Sequence, residues 1–99
     1  QEYCRLVLTH YQEWHHVNQY AQAMRLTLPH LCSTIKQVGM RTAGDIIIEA
    51  LLNDAKSQLK ITNLPIKEIA YDLGFENVAF FNRFFKSHVG VTPKSYRNG

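Results

Sequence analysis

The fold of this chain is decided by residues 64–86, LPIKEIAYDLGFENVAFFNRFFK. Two runs in this stretch place apolar residues three and four positions apart, which predicts two short amphipathic helices. The apolar stripes are Ile66, Ile69, Ala70 and Leu73 in the first run and Val78, Phe81 and Phe85 in the second. Gly74 ends the first helix, because glycine reaches the left-handed conformation that a helix C-terminus favours. Asn77 is a good N-cap for the second helix, so the stretch predicts a helix-turn-helix.

The remaining sequence predicts helices and no strands. No run alternates apolar and polar residues with a period of two. The helical period recurs in residues 2–14, 17–25, 28–38 and 43–60, and Pro93 opens a last short helix. Thr27 is a predicted N-cap and Gly39 a predicted helix end. The apolar residues expected to face inward include Leu31, Ile35, Ile47, Leu51, Leu52, Ala55 and Leu59. The predicted fold class is all-α, with about seven helices.

The two halves of the chain align with each other as an internal repeat. The matched pairs are Val17 with Ile66, Ala21 with Ala70 and Met24 with Leu73 at a shift of 49, and Thr27 with Asn77, Leu31 with Phe81, Ile35 with Phe85, Lys36 with Lys86 and Thr42 with Thr92 at a shift of 50. The one-residue step falls in a turn, where insertions are tolerated best. The repeat therefore predicts a single domain, residues 1–99. It consists of two helix-turn-helix subdomains, residues 1–41 and 62–99, and a linker helix, residues 42–61.

The predicted helix after Asn77 presents a polar and basic outer face that includes Asn82, Arg83 and Lys86. The second helix of a helix-turn-helix lies in a DNA major groove when its face has this character. A connecting helix of about 27 Å would place two such helices close to one turn of B-DNA apart. The sequence thus favours a monomer that contacts successive major-groove segments of an asymmetric site of about 15–20 base pairs.

Composition and charge limit the classes of partner that the chain is expected to bind. The 99 residues carry a net charge of +3, which suits a polyanionic partner without requiring one. No apolar run is long enough to span a membrane and no signal peptide is recognisable, so a membrane partner is not expected. Cys4 and Cys32 have no CxxC or metal-ligand spacing, and we expect reduced thiols in a cytoplasmic protein. The chain lacks an initiator Met, which suggests a piece of a longer protein whose missing part is N-terminal.

An enzyme is the least favoured class. The sequence contains no glycine-rich phosphate loop, and Asp45 is better explained by its place near a helix N-terminus than by a carboxylate pair with Glu49. No His or Cys spacing suits a metal ion. We therefore expect no catalytic residues, no metal and no cofactor.

The run IKEIAYDLGFENVAFFNRFFKSHVGVTPKSYR resembles the signature of the AraC/XylS family of bacterial transcription regulators. The matching positions are Ile66, Ile69, Ala70, Gly74, Phe75, Phe80, Phe81, Arg83, Phe85, Lys86, Gly90, Pro93, Tyr96 and Arg97. The resemblance extends from about Val17 to Arg97. It implies the family's C-terminal DNA-binding domain, with seven helices and two helix-turn-helix units that bind double-stranded promoter or operator DNA.

The resemblance also implies which side chains contact DNA. In the second recognition helix they are Val78, Ala79, Asn82, Arg83 and Lys86; in the first they are Pro29, His30, Cys32, Ser33 and Lys36. The first set contains small residues where the family commonly has longer polar or basic ones. We therefore expect the first helix to hold phosphates or to contact bases weakly.

The resemblance implies partners that the chain itself does not contain. RNA polymerase is one, and a separate N-terminal sensing and dimerisation domain is another. A regulator of this kind works in the bacterial cytoplasm at the nucleoid, as an activator or a repressor. A competing interpretation is a protein-interaction module that keeps the fold without contacting bases, and a steep salt dependence of DNA binding would separate the two.

Overall fold

Short turns separate the helices in the computed structural model of the protein, which describes residues 2–39 and 41–99. The described residues form seven α-helices and no strand, which confirms the predicted all-α class. The helices are α1 (Glu2–His10), α2 (Val17–Ala23), α3 (Leu28–Val38), α4 (Ala43–Ile61), α5 (Ile66–Asp72), α6 (Val78–Val89) and α7 (Pro93–Asn98). The predicted bounds of α3 and the predicted start of α4 agree with the structure.

The chain divides into two compact units, residues 1–51 and residues 52–99, so the residues of α4 are shared between them. In the first unit, two buried tyrosines join the helices. The Tyr3 hydroxyl donates a hydrogen bond to the Ala43 carbonyl over 2.6 Å, and the Tyr20 hydroxyl donates to the Trp14 carbonyl over 2.9 Å. Burial raises the pKa of Tyr20 to about 12 and that of Tyr3 further above its usual range. Both hydroxyls therefore keep the proton that they donate.

The second unit is built around phenylalanines of α6. Phe81 and Phe85 are fully buried, and their rings contact Phe75 and Tyr96 with centroid distances of 5.3 and 5.5 Å. Arg97 anchors α7, because its side chain donates hydrogen bonds to carbonyls at the end of α4 and just beyond it, those of Leu59 and Thr62 at 3.1 and 3.4 Å. The aromatic cluster fixes which face of α6 points outward.

Three details differ from the sequence-based expectation. The first helix ends at His10 rather than at residue 14, where a turn follows: the Glu13 N–H donates to the His10 carbonyl over 2.9 Å, and the Trp14 ring stacks on the His10 ring at a centroid distance of 4.0 Å. The second helix ends at Ala23 rather than Arg25, since Arg25 has a φ of 57° and leaves the helical region. Leu52 is half-buried, whereas the other predicted α4 core residues are buried.

None of the helices in the described part of the chain combines the length and the apolar character that a bilayer crossing requires.

Candidate nucleic-acid interface

Helices α5 and α6 meet at a tight turn, as the sequence predicts. The N–H of Phe75 donates to the Ala70 carbonyl over 3.0 Å, and the N–H of Gly74 donates to the Tyr71 carbonyl over 3.0 Å. Gly74 has a φ of 86°, a conformation that costs glycine little. Ala70 is fully buried at this turn. The turn therefore ends α5 with the carbonyls of Ala70 and Tyr71 hydrogen-bonded and directs the chain into α6.

The start of α6 is fixed by its N-cap. The Asn77 side chain accepts a hydrogen bond from the Phe80 N–H over 2.8 Å, which confirms the predicted cap. The helix ends at Gly90, whose φ of 97° lies in the left-handed region. Because both ends are fixed, the residues of the first turns of α6 have defined positions on its surface.

The five residues predicted to contact DNA in the second unit all lie on α6. Ala79, Arg83 and Lys86 are exposed, while Val78 and Asn82 are half-buried. The opposite face buries Phe81 and Phe85. The structure therefore places Ala79, Arg83 and Lys86 on the accessible side of α6, with Arg83 and Lys86 as the longest side chains, while Val78 and Asn82 lie at the edge of the buried face.

The electrostatics of this face favour an anion. The sequence of α6, VAFFNRFFKSHV, contains no Asp or Glu. Within residues 2–39 and 41–99, the salt bridge between permanently charged groups joins Arg41 to Glu49, and His10 Nδ1 lies 3.8 Å from the Glu13 carboxylate, so neither contact involves Arg83. The guanidinium of Arg83 instead lies over the Phe80 ring, 5.2 Å from its centroid. The charge of Arg83 is thus available to a ligand at the surface.

Helices α2 and α3 form the equivalent arrangement in the first unit. The Thr27 side chain accepts a hydrogen bond from the His30 N–H over 3.3 Å, and Leu31 and Ile35 are buried beneath α3. The five residues predicted for the first recognition helix are all exposed: Pro29, His30, Cys32, Ser33 and Lys36. Its sequence, LPHLCSTIKQV, has a single Lys and no Asp or Glu. This face is accessible but carries less charge than α6.

The turn of the first unit repeats that of the second in backbone hydrogen bonding. The Leu26 N–H donates to the Ala21 carbonyl over 2.9 Å, which matches the bond from Phe75 to Ala70. Arg25 occupies the place of Gly74 and, with its φ of 57°, the same left-handed region. Sequence reasoning missed this strained residue, although the repeat at a shift of 49 aligns it with Gly74.

The internal repeat also includes the N-caps of α4 and α7. Thr42 accepts a hydrogen bond from the Asp45 N–H over 3.1 Å, and Thr92 accepts one from the Ser95 N–H over 3.2 Å. Asp45 also accepts from the Thr42 N–H over 3.2 Å, which gives it a structural role at the start of α4. The aligned caps of the two halves therefore have the same local structure.

Phe80 is an accessible residue in the first turn of α6 that was not among the predicted contacts. Phe80 is 59% exposed, although its neighbour Phe81 is fully buried. The sequence alone left open whether Phe80 or Phe84 is exposed, and the structure places Phe84 half-buried against the Phe75 ring.

The described residues contain no group of three or more His, Cys, Asp and Glu side chains arranged to hold a metal ion. Cys32 is an exposed thiol on α3, and Cys4 is a half-buried thiol on α1. Neither a metal site nor a thiol pair in the described part of the chain therefore accounts for the accessible faces of α3 and α6, which belong to two helices with capped N-termini.

The chain is similar in sequence to known helix-turn-helix regulators. A family model described as a helix-turn-helix domain matches residues 20–99. The regulatory protein SoxS of Escherichia coli K12 is 33% identical over 88 residues, which are 89% of this chain and 68% of SoxS. The uncharacterized HTH-type transcriptional regulator YdiP of the same organism is 29% identical over 87 residues, and the chain spans only 29% of its length.

Solved structures agree with the fold. The C-terminal domain of the two-component response regulator yesN from Fusobacterium nucleatum superposes with a TM-score of 0.86 at 26% identity, covering 94% of this chain and 91% of that one. The DNA-binding domain of AdpA, solved in complex with a target DNA, superposes with a TM-score of 0.85 at 18% identity, covering 98% of this chain and 87% of that one.

The protein is therefore a helix-turn-helix domain with the fold of DNA-binding transcription regulators. More narrowly, the chain belongs to the AraC/XylS family, as its sequence signature implies.

Proposed function

We propose that this chain binds double-stranded promoter or operator DNA in a sequence-specific way, with α6 as the principal recognition helix. The observation that supports this most directly is the outer face of α6. It presents Arg83 and Lys86 with no carboxylate on the same helix, at a surface held in place by the Asn77 cap. An arginine in the major groove binds guanine through two hydrogen bonds, and a lysine neutralises phosphate.

In the same proposal the individual contacts are divided by chemistry. Arg83 contacts guanine, Asn82 contacts adenine, and Val78 and Ala79 pack against thymine methyl groups. Lys86 neutralises a phosphate. The structure of the AdpA DNA-binding domain in complex with a target DNA supports the use of this fold on a duplex.

The first recognition helix has a lesser role in this proposal. Its exposed residues Pro29, His30, Cys32 and Ser33 are short or rigid, and Lys36 supplies its one cation. We propose that α3 enters a second major-groove segment, holds phosphates and adds weak base contacts. The division into subdomains 1–41 and 62–99 with linker 42–61 belongs to the same proposal.

The biological setting is also inferred. A regulator of bacterial promoters works in the cytoplasm at the nucleoid, where RNA polymerase is the partner that it would influence. A separate sensing and dimerisation domain would accompany this one. The competing proposal is a protein-interaction module; the weakly charged α3 is the observation that favours it.

The test is the substitution Arg83→Ala. It should weaken binding to the preferred duplex by about 1–3 kcal/mol and should leave the melting temperature unchanged, because Arg83 is exposed. Arg5→Ala is the matched control, since it removes the same charge from the exposed surface of α1. Equal losses on specific and unrelated duplexes would make Arg83 a phosphate contact. No loss on either would contradict the assignment of α6.

A further inference from the structure

Phe80 is an unusual residue for the surface of α6. Its side chain is 59% exposed, whereas Phe81 and Phe85 on the same helix are 0% exposed. A single exposed apolar side chain is common on proteins and means little by its position alone. Two further observations distinguish Phe80 from such a residue: its contact with Arg83 and its place in the first turn of the helix.

The contact with Arg83 links Phe80 to the proposed base contact. The two residues are three positions apart, so their side chains share one face of the helix. The guanidinium lies 5.2 Å from the centroid of the Phe80 ring. An arginine held against an aromatic face before binding loses less conformational freedom when it meets its ligand. The ring therefore pre-organises Arg83 on the outer face.

The place of Phe80 in the helix is equally specific. Its N–H donates to the Asn77 side chain over 2.8 Å, so Phe80 belongs to the capped first turn of α6. The N-terminal residues of a recognition helix are those that reach base edges in the major groove. Phenylalanine has no hydrogen-bonding side-chain group, and its partner on a base edge there is the 5-methyl group of thymine.

We propose that Phe80 is a specificity-determining residue of α6, whose ring contacts the methyl group of a thymine beside the guanine bound by Arg83 and holds the Arg83 guanidinium in position for that guanine. This inference rests on the proposed function, because it requires α6 to lie in the major groove. It adds a preference for a thymine next to a guanine within the α6 half of the site.

The first unit lacks this pair. At a shift of 50, His30 takes the place of Phe80 and Ser33 the place of Arg83. Both residues are exposed, and His30 is held by the Thr27 cap as Phe80 is by Asn77. A serine has no guanidinium to place over a ring. The preference for thymine and guanine therefore belongs to α6 alone and should appear in one half of the bound site.

The experiment uses the full chain and the duplex that it enriches from a random-sequence library. Each thymine of that duplex is replaced in turn by deoxyuridine, which removes only the 5-methyl group, and affinities are measured at one fixed salt concentration. The wild type should lose about fourfold in affinity at the thymine beside the guanine bound by Arg83, from the burial of a single methyl group. Thymines packed against Val78 or Ala79 respond independently of Phe80, so Phe80→Ala should abolish the response only at the thymine beside that guanine.

A second pair of measurements separates the two roles proposed for Phe80: the contact of its ring with the thymine methyl group and its positioning of the Arg83 guanidinium. Replacing the neighbouring guanine by 7-deazaguanine removes one acceptor of the arginine. Phe80→Leu should keep the response to deoxyuridine, because leucine still packs on a methyl group. It should respond less than the wild type to 7-deazaguanine, because leucine offers no aromatic face to the guanidinium.

Tyr71→Ala is the matched control. Tyr71 is another exposed aromatic residue, 46% accessible, with the Lys67 ammonium 5.8 Å from its ring centroid, but it lies on α5. Its removal should change neither response. A Phe80→Ala variant that still responds to deoxyuridine beside that guanine, or a wild type that binds a preferred duplex with no response at the thymine beside it, would overturn the inference alone. A library with no enriched sequence would overturn the proposed function as well.

Discussion

At the scale of single residues, Arg25 adopts the same left-handed backbone conformation as the glycine at the equivalent position of the repeat, although it has a side chain. It has a φ of 57° in the turn between α2 and α3, where the second unit has Gly74 with a φ of 86°. A residue with a Cβ atom pays about 1–2 kcal/mol for the left-handed conformation, and glycine pays little. The turn of the first unit is therefore formed under strain that the second unit avoids.

This strain predicts that Arg25→Gly stabilises the protein. The free energy of unfolding should rise by about 1 kcal/mol, because the penalty of the left-handed conformation is removed. Urea unfolding of the full chain measures the change. Gly74→Ala is the reciprocal control and should lower the free energy of unfolding by a similar amount. An Arg25→Gly variant that is less stable than the wild type would mean that the Arg25 side chain contributes more than its backbone costs.

At the scale of elements, α6 has two faces made of the same amino acid with different roles. Phe85 is fully buried and its ring contacts those of Phe81 and Tyr96, with centroid distances of 6.0 and 5.5 Å. Phe80, one and a half turns earlier, is mostly exposed. Substitutions of Phe85 and Phe80 in the same helix therefore compare a buried phenylalanine with an exposed one.

The comparison gives a prediction for stability. Phe85→Ala should lower the free energy of unfolding by about 3–5 kcal/mol, because it removes a buried ring and leaves a cavity. Phe80→Ala should change it by no more than about 0.5 kcal/mol, as expected for a surface substitution. Thermal unfolding of the two variants checks both values. A Phe85→Ala domain with a normal melting temperature would show that the assigned core is wrong.

The helix caps were predictable from the sequence because their chemistry is local. Thr27, Asn77 and Thr92 each accept a hydrogen bond from the N–H three residues later. A short polar side chain before an apolar run is enough to indicate such a cap. For the same reason, the bounds of α3 and the buried stripes of α3 and α6 could be predicted without a structure.

The features that could not be predicted depend on contacts between distant residues. Beyond the end of α1 at His10, the Trp14 ring stacks on the His10 ring and also contacts Tyr20 of the next helix. Helical periodicity continues through Tyr11 and Trp14, so the pattern alone extended α1 too far. The sequence likewise left open whether Phe80 or Phe84 is exposed, because that choice depends on the packing of Phe84 against the distant Phe75 ring.

At the scale of the whole molecule, the candidate interface depends on the distribution of charge more than on its total. The net charge is +3 over 99 residues, which is modest for a DNA-binding protein. Helices α3 and α6, however, lack acidic residues, and α6 presents Arg83 and Lys86 on its outer face. A few phosphate contacts are enough to make the affinity fall steeply with salt, because each one releases counterions.

The same distribution predicts unequal contributions from the two units. The exposed face of α6 offers long cationic side chains and that of α3 offers mostly short ones, so the α6 half of a bound site should be specified more strictly. The family membership and the repeat support two DNA contacts, and the chemistry of the side chains supports their inequality.

The central claim is sequence-specific binding of duplex DNA, and selection from a random-sequence library by the full chain, at low and at moderate salt, tests it most directly. We predict an enriched asymmetric site with two blocks about ten base pairs apart, a strict block containing a guanine for α6 and a weaker block for α3. Retention should fall steeply between the two salt concentrations. No retention at low salt, or retention without any enriched sequence at either concentration, would contradict the claim.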